Sequence, residues 1–201
     1  TSLGAIVGGT YTYPVTHEGD IYLLYRTGAR HFHDREELQY PSHEFATIAR
    51  STDGGETWTD RWAPEGDGPV IDMFGFVEAS DEDWIQTVDA YINDMSCWRD
   101  RLHVTMYLAY GEEHDGRRGY VIHAAWDLAA DTWVTPEGEE IGEVLTWDGI
   151  RDTDAVVFTD YSLSKTKHAY DPTSDTIHIT WMYRPNSLDG PDDHTFGMAE
   201  V

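Results

Sequence analysis

This sequence has almost no cysteine, does not begin with methionine and has no long apolar run. Cys97 is the single cysteine, so the chain cannot form a disulfide within itself. No segment approaches the roughly 20 apolar residues of a membrane span, which excludes a spanning helix from this sequence. No run of ten or more residues repeats its apolar positions every 3.6 residues, so no long helix is predicted. The chain begins at Thr1, and we expect its natural N-terminus to lie upstream.

Basic residues are also scarce. The chain has 13 lysines and arginines against 38 acidic residues, a net charge of −25. Such a charge repels nucleic acids and anionic membranes, so both are excluded as partners. Lys165 and Lys167 are the only lysines. An acidic, lysine-poor surface predicts a high-salt habitat, where counterions screen the repulsion, although an acidic extracellular protein would look similar.

Apolar and aromatic residues are plentiful by contrast. The hydrophobic fraction of 40% excludes a disordered chain despite the charge. Eight tryptophans and twelve tyrosines favour β-structure and surfaces that stack on flat ligands.

A repeat of about 75 residues organises the chain. Asp100–Thr105 matches Asp175–Thr180 without a gap, and the Thr-Trp pair at 57–58 recurs at 132–133. Apolar and polar residues alternate at 102–106 and at 177–181, which is the two-residue period of strands. We therefore predict an all-β fold with approximate repeat units 10–65, 85–140 and 165–201.

The most specific motif is the segment Ser51–Trp58, which reads Ser-Thr-Asp-Gly-Gly-Glu-Thr-Trp. It resembles the Asp box of sialidase-like β-propellers. Asp53 can accept hydrogen bonds from backbone N–H groups of its own turn, and the two glycines permit a positive φ. A degenerate copy at 126–133 lacks both glycines, so its turn must differ. Such motifs fasten turns, so this one predicts a fold and not a reaction.

The repeat units predict an incomplete β-propeller. About two and a half units cannot close a ring that usually needs about four to eight blades. We therefore expect residues 1–201 to be a partial propeller domain that belongs to a larger propeller. A compact two-sheet β fold with a coincidental repeat is the alternative.

A second similarity concerns the segments that open the first and third units. Pro14 precedes Arg26 by twelve residues, and Pro172 precedes Arg184 by the same spacing. With the His-Ala-Tyr-Asp-Pro sequence at 168–172, these segments resemble the bacterial-neuraminidase-repeat group, nearest to ulvan-lyase-like polysaccharide lyases. The resemblance implies an extracellular, seven-bladed propeller that cleaves uronate-containing algal polysaccharide by β-elimination.

The resemblance also implies a base, a proton donor and a cation for the uronate carboxylate. His168 and Tyr170 are the first candidates for catalysis, since residues i and i+2 of a strand share a face. Tyr40 and His43 form a second His/Tyr neighbourhood in the loop of the first unit. A loop histidine without a catalytic role is the alternative for His168.

Three residues are candidates for substrate binding. Arg26 and Arg184, at equivalent strand ends, could bind a carboxylate or sulfate through two hydrogen bonds. Tyr13 precedes the first of the two prolines and could contact the glycan. The alternatives are ion pairs between blades for the arginines and a packing role for Tyr13.

No cofactor or catalytic metal is expected. His31, His33 and Asp34 could share a metal ion if they lay on a strand, but a solvated loop is the default interpretation. A structural calcium or zinc ion is left open. His103 and His178 recur at one strand position, which indicates a structural role.

Two other functions compete with a lyase. A sialidase-like glycoside hydrolase would need an arginine triad, and Arg26 is followed by Thr27-Gly28 instead of the motif such enzymes carry. A non-catalytic propeller that binds glycan or protein would present tryptophan and tyrosine without a placed base. Release of an unsaturated product would separate a lyase from both.

Overall fold

The computed structural model describes eight ranges of the chain: residues 10–27, 45–60, 70–72, 76–78, 85–110, 118–159, 163–183 and 195–201. Strands dominate these ranges, and one short helical turn accompanies them. The predicted all-β class is therefore confirmed. No helix within the described ranges is long and apolar enough to cross a membrane.

Three mostly antiparallel sheets make up the described structure. The first sheet contains β1 (Thr10–His17), β2 (Asp20–Thr27), β3 (Phe45–Ser51), β4 (Thr59–Asp60), β5 (Ile71–Asp72) and β12 (Leu145–Thr146). The second contains β6 (Phe76–Glu78), β7 (Ile85–Trp98), β8 (Arg101–Tyr110), β9 (Arg118–Asp127), β10 (Thr132–Val134), β11 (Glu140–Gly142) and β13 (Val156–Thr159). The third contains β14 (Leu163–Asp171), β15 (Thr176–Tyr183) and β16 (Thr195–Glu200).

Each repeat unit opens with a hairpin, and the three hairpins correspond. They are β1–β2, β7–β8 and β14–β15, each closed by a short turn. A third strand follows each hairpin and pairs with its second strand. These third strands are β3, β9 and β16. The 75-residue offset in the sequence therefore reflects one supersecondary unit used three times.

The first strands of the three units lie next to one another. The hydroxyl of Tyr13 on β1 donates to the carbonyl of Ile92 on β7, at 3.1 Å. Asn93 on β7 in turn accepts a hydrogen bond from the backbone N–H of Thr166 on β14, at 2.7 Å. Side chains thus join these strands, since each pairs within its own sheet.

The main core lies between the first and second sheets. Alternate residues of β8 point into it, and Leu102, Val104 and Met106 are fully buried there. Trp133 is also fully buried, and its Nε1 donates to the carbonyl of Val70 at 2.6 Å. The apolar side chains that alternate along the strand are thus buried by contact between units.

The turn at Ser51–Trp58 has the structure that its sequence predicts. Asp53 accepts hydrogen bonds from the backbone N–H and the hydroxyl of Thr57, at 2.8 and 2.5 Å. Trp58 closes the turn by donating from Nε1 to the carbonyl of Gly55, at 3.0 Å. Gly55 has a φ of 95°, a region that glycine adopts without strain.

The degenerate copy of this turn differs, as expected. Asp127 accepts hydrogen bonds from the backbone N–H groups of Ala129 and Ala130, each at 3.0 Å. Asp131 takes the left-handed conformation in place of a glycine, with a φ of 55°. Aspartate tolerates that region better than most residues, which explains how the turn forms without glycine.

The single helical turn, α1, spans Trp147–Ile150. The hydroxyl of Thr146 accepts a hydrogen bond from the N–H of Gly149. The first and last residues of the turn, Trp147 and Ile150, are buried. A search for apolar periodicity over ten or more residues could not detect an element of this length.

Candidate functional site

Three histidines and two hydroxyl groups form a buried chain where the second and third units meet. Its members come from four strands: Ser96 on β7, Thr105 and His103 on β8, His123 on β9 and His168 on β14. Strand periodicity explains the arrangement, since residues 103 and 105 share one face of β8. That face is turned toward β14, which supplies His168.

Distances along the chain are those of hydrogen bonds. Ser96 Oγ lies 2.7 Å from Nε2 of His168, and Thr105 Oγ1 lies 2.7 Å from Nδ1 of the same ring. The same Thr105 oxygen lies 2.9 Å from Nδ1 of His123. Nε2 of His123 is then 3.2 Å from Nδ1 of His103. One continuous path therefore connects Ser96 to His103.

Burial keeps these imidazoles neutral. It lowers the pKa of His103 from 6.5 to about 4, and it lowers the pKa of His123 well below 6.5. Burial also lowers the pKa of His168, with the positive charge of Lys167 adding to the effect and Asp94 opposing it. Desolvation disfavours the charged form of a histidine, so all three rings are neutral near pH 7.

Two groups beside the path bear on the positions of its protons. Oδ2 of Asp94 lies 4.0 Å from Nδ1 of His168, and a carboxylate favours an N–H on that side. At the other end, the Trp98 carbonyl opposes the lowering of the pKa of His103, and Nε2 of that ring has no hydrogen-bond partner within the described residues.

In the tautomer with an N–H on Nδ1, His168 donates to Thr105, whose hydroxyl donates to His123, and Nε2–H of His123 donates to His103. Nε2 of His168 is then left with its lone pair, accepting a hydrogen bond from the Ser96 hydroxyl. A neutral imidazole with a lone pair toward a hydroxyl is arranged as a general base.

Two β-bulges place His168 against the second unit. One shifts the register of β7 between Ile92 and Asp94, and the other shifts β14 between Ser164 and Thr166. Asn93, the extra residue of the first bulge, accepts hydrogen bonds from the N–H and hydroxyl of Thr166, at 2.7 and 3.3 Å. Bulges redirect side chains and are common beside functional sites.

The candidates from the sequence are distributed unevenly around this chain of histidines. His168 is a member of it, with its side chain only 1% exposed. Tyr170 follows on β14 and also faces the second unit, where it stacks on Trp98 with ring centroids 3.7 Å apart. The hydroxyl of Tyr170 donates to Asp175, and burial followed by that contact raises the pKa of the tyrosine.

Arg26 and Tyr13 lie on the first sheet and contact the second. Arg26 is 8% exposed, and its guanidinium carbon lies 4.9 Å from the ring centroid of Tyr91. Tyr13 is half-buried through its hydrogen bond to Ile92. Tyr40, His43 and Arg184 fall outside the described residues, as do His31, His33 and Asp34 of the metal hypothesis.

Sequence reasoning missed most of the chain of histidines. It interpreted His103 as structural and did not single out His123, Thr105 or Ser96. A signal was present, because His103 and His123 occur within strongly apolar strands, where a buried imidazole needs hydrogen-bond partners. His178, the repeat equivalent of His103, instead lies 3.5 Å from Glu200 on the outer strand pair.

One further group of possible metal ligands occurs within the described ranges. His17, Glu18 and Asp100 present ligand atoms within 4.8 Å of one another at the tips of two neighbouring hairpins. Nε2 of His17 lies 2.9 Å from a carboxylate oxygen of Asp100. This contact links the hairpin tips of the first and second units.

Comparison with solved structures shows a similar fold. Two structures of an ulvan lyase, described as a new family of polysaccharide lyase PL25, match with TM-scores of 0.61 and 0.62 at 18% identity. One of them is bound to -[GlcA(1-4)Rha3S]-. Each match covers 96% of this chain and 42% of the lyase, so the chain spans less than half of those proteins.

A structure described as a glycoside hydrolase matches less well, with a TM-score of 0.40 at 15% identity over 90% of this chain and 40% of its own. No protein-family model matches the chain. No curated protein matches it either. The comparisons therefore show a fold shared with the ulvan lyase structures.

Proposed function

We propose that this chain is part of a carbohydrate-active β-propeller, a polysaccharide lyase that cleaves uronate-containing acidic glycans by β-elimination with His168 as the base. The observation that carries the proposal is the position of His168, a neutral imidazole with Nδ1 2.7 Å from the Thr105 hydroxyl and Nε2 2.7 Å from the Ser96 hydroxyl. In the tautomer with the proton on Nδ1, Nε2 is free to act as a base. The fold shared with an ulvan lyase supports it.

The proposed reaction needs one base and one returned proton. Nε2 of His168 takes the proton from C5 of the uronate, and the C5–H electron pair forms the C4=C5 double bond. The C4–O bond breaks, and the departing oxygen receives the proton from the imidazolium. No external oxidant or reductant is required, because the unsaturated sugar and the new hydroxyl end balance the atoms.

Asp94 is placed to stabilise the positive charge that forms on His168 in this step. Its Oδ2 accepts from the backbone N–H of His168 at 3.2 Å and lies 4.0 Å from the ring. A carboxylate at that position stabilises the imidazolium that forms when the proton is taken. The pKa of His168 is raised by this charge, against the larger effect of burial.

Access to Nε2 must run past Ser96. The side chain of His168 is 1% exposed, whereas Ser96 is half-buried. The hydroxyl of Ser96 therefore occupies the place that a C5–H bond would take. We propose that substrate binding turns this hydroxyl away from the ring.

The remaining candidates are proposed as surroundings of the same site. Tyr170, Tyr40 and His43 stay candidates for proton transfer, and Arg184 for binding the carboxylate. Arg26 and Tyr13 are proposed as substrate-binding residues that act near the border of the first and second units. The contact of Arg26 with Tyr91 suits a supporting position beneath that border.

The propeller is part of the same proposal. Three equivalent hairpins with neighbouring first strands, joined by side chains, are the arrangement expected of adjacent blades. Since the chain covers 42% of the ulvan lyase structures, the proposed ring has further blades. An extracellular location is proposed with it, because large polysaccharides are met outside the cell.

A non-catalytic glycan-binding propeller is the second candidate. The burial of His168 favours it, since a ring with 1% of its side chain exposed can also be a core histidine satisfied by Ser96 and Thr105. Such a protein would bind glycan without changing it.

The test is cleavage of ulvan by the full-length protein, followed by the ultraviolet absorbance of the unsaturated uronate. We expect His168→Gln to lower the rate about 10²- to 10⁴-fold, the usual contribution of a general base. His178→Gln is the matched control, because that histidine contacts Glu200 on the outer strand pair, and it should keep the full rate.

Three outcomes separate the candidates. New reducing ends without the absorbance would identify a hydrolase and overturn the lyase. Binding without any product would favour the non-catalytic propeller. Equal rates for the His168 variant and the wild type would remove His168 from the mechanism.

A further inference from the structure

Both lysines of the chain lie on the strand that carries His168. Lys165 and Lys167 are the only two in 201 residues, and β14 holds both within three positions. A chain with 38 acidic residues that places its lysines beside a single histidine concentrates positive charge there. This placement indicates a local requirement for a cation.

Lys167 stands where the three units meet. Its Nζ donates to the carbonyl of Asn93 at 2.9 Å and to Oδ1 of Asp94 at 3.2 Å, both on the second unit. The same Nζ lies 5.8 Å from the ring centroid of Tyr13 on the first unit. Its side chain is nevertheless 63% exposed, so the ammonium is held in place and remains accessible.

The backbone explains why this ammonium is held. Lys165 has a φ of 51° at the bulge of β14, and the next residue, Thr166, is anchored to Asn93. The side chain of Lys167 therefore projects from a fixed position on β14 and contacts the bulge of β7. A lysine fixed in this way loses less conformational freedom when it binds a ligand than a freely rotating one.

Hydrogen-bond capacity remains on Lys167. An ammonium has three N–H donors, and two of them point to Asn93 and Asp94. Among the described residues Lys167 therefore retains one donor, and its side chain is exposed to an incoming anion.

Asp94 connects this lysine to the base. One carboxylate oxygen contacts Nζ of Lys167, and the other accepts from the backbone N–H of His168. An anionic group bound at Lys167 would therefore lie beside the carboxylate that contacts His168. Lys167 also lowers the pKa of His168, which shows that the two groups are electrostatically linked.

We infer that Lys167 binds an anionic group, a carboxylate or a sulfate ester, of the glycan on which His168 acts, and so determines specificity for charged substrates. This inference rests on the proposed function and adds a binding residue to it. Binding uses the third N–H and leaves the contacts with Asn93 and Asp94 intact. Tyr13 borders the same position with its ring.

The test compares Lys167→Met and Lys167→Arg with the wild type on ulvan. Loss of a hydrogen bond to a charged group should raise KM about 10- to 100-fold in Lys167→Met. Lys167→Arg should recover most of the loss because it keeps the charge. Arg151→Gln is the control, since it removes one positive charge at an exposed ion pair on α1 and should leave KM unchanged.

The pH profile supplies a readout that a purely structural role would not change. Lys167 lowers the pKa of His168, so Lys167→Met should raise it. The acidic limb of kcat/KM should then move to higher pH, whereas Arg151→Gln should leave it in place. Thermal unfolding of each variant, with Lys167→Gln as a second neutral substitution, checks that the fold is retained.

Two polysaccharides distinguish the sources of the anion. If Lys167 binds a sulfate ester, the penalty of Lys167→Met should disappear on desulfated ulvan. If it binds a carboxylate, the penalty should persist there. Binding by the His168→Gln variant, with and without Lys167→Met, repeats the comparison without catalysis.

The inference fails if Lys167→Met binds and cleaves both polysaccharides like the wild type, or if Arg151→Gln has the same effect. Wild-type binding without cleavage would overturn the proposed lyase while the binding comparison still tests Lys167. A wild type that neither binds nor cleaves ulvan would overturn both.

Discussion

Burial decides ionisation at the scale of single residues. His103 and His123 lie buried inside an acidic protein. Desolvation is the largest effect on the pKa of each ring and lowers it; His168 lowers both further, and His103 adds to the lowering at His123. Hydrogen bonds along the path satisfy both ring nitrogens of His123 and of His168, whereas Nε2 of His103 has no partner within the described residues.

The first prediction concerns pH and stability. In the unfolded chain His103 takes up a proton near 6.5, but in the folded protein it does so only near 4. The unfolded state therefore binds more protons in this window, and the stabilisation is complete above pH 6.5 and is lost as the pH falls toward 4. The difference corresponds to roughly 3 kcal/mol of unfolding free energy.

Denaturant unfolding of the wild type and of His103→Gln between pH 7 and 4 checks this prediction. The wild type should lose stability steeply with acid, and the variant should lose less because one titrating ring is gone. His178→Gln, on the outer strand pair, should follow the wild type. Parallel curves for all three proteins would contradict the prediction.

At the scale of elements, the pairing of β15 with β16 depends on one glycine. Gly197 lies opposite Trp181, and a Cβ on Gly197 would overlap the indole ring. Trp181 is buried and packs against Phe158 with ring centroids 4.7 Å apart. The indole cannot move without disturbing the contact between the second and third sheets.

We therefore expect Gly197→Ala to destabilise the protein by about 1–3 kcal/mol, the usual cost of overpacking. Met198→Ala is the matched control, because the adjacent residue points to the other face of β16 and is 66% exposed. It should change the unfolding free energy by less than about 0.5 kcal/mol. Equal thermal midpoints for the two variants would contradict this account.

At the scale of the whole molecule, the net charge of −25 opposes the compact state. Salt screens this repulsion, with a Debye length near 10 Å at 0.1 M and near 3 Å at 1 M. We expect the thermal midpoint of the full-length protein to rise as sodium chloride increases from dilute buffer to about 1 M. Sucrose, which is uncharged, is the control for general solvent effects.

The result distinguishes two origins for the acidic composition. A protein that unfolds in dilute buffer and is restored by salt, but not by sucrose, has a surface suited to a high-salt habitat. Full stability in dilute buffer would contradict that hypothesis and leave an acidic protein of ordinary salt tolerance.

Much of the fold could be predicted because strands and turns are encoded locally. The two-residue alternation at 102–106 and 177–181 matches β8 and β15, and Asp53 forms the hydrogen bonds that its motif predicts. The helical turn at Trp147–Ile150 was too short to leave a periodic signal. The propeller stays a prediction, because the described sheets do not close into a ring.

The candidate site could be predicted only in part. His168 was identified through its neighbours in the sequence. The hydrogen bonds that join His103, His123, Thr105 and His168 form between different strands, so a single sequence does not reveal them. Lys167 was notable in the sequence only for its rarity. Its contacts with Asn93 and Asp94 depend on two bulges, and bulges have no reliable signal in a single sequence.

The sequence by itself determined the β class, the 75-residue unit, the turn at Ser51–Trp58 and the acidic charge, because each follows from neighbouring residues or from composition. Tertiary structure alone decided that Ser96, Thr105 and His168 share a hydrogen-bonded path and that Lys167 stands beside it. The physical reason is distance along the chain. His168 lies 72 residues from Ser96 and 63 from Thr105, and Lys167 lies 73 from Asp94, so only the packing of one unit against the next brings these groups within hydrogen-bonding range.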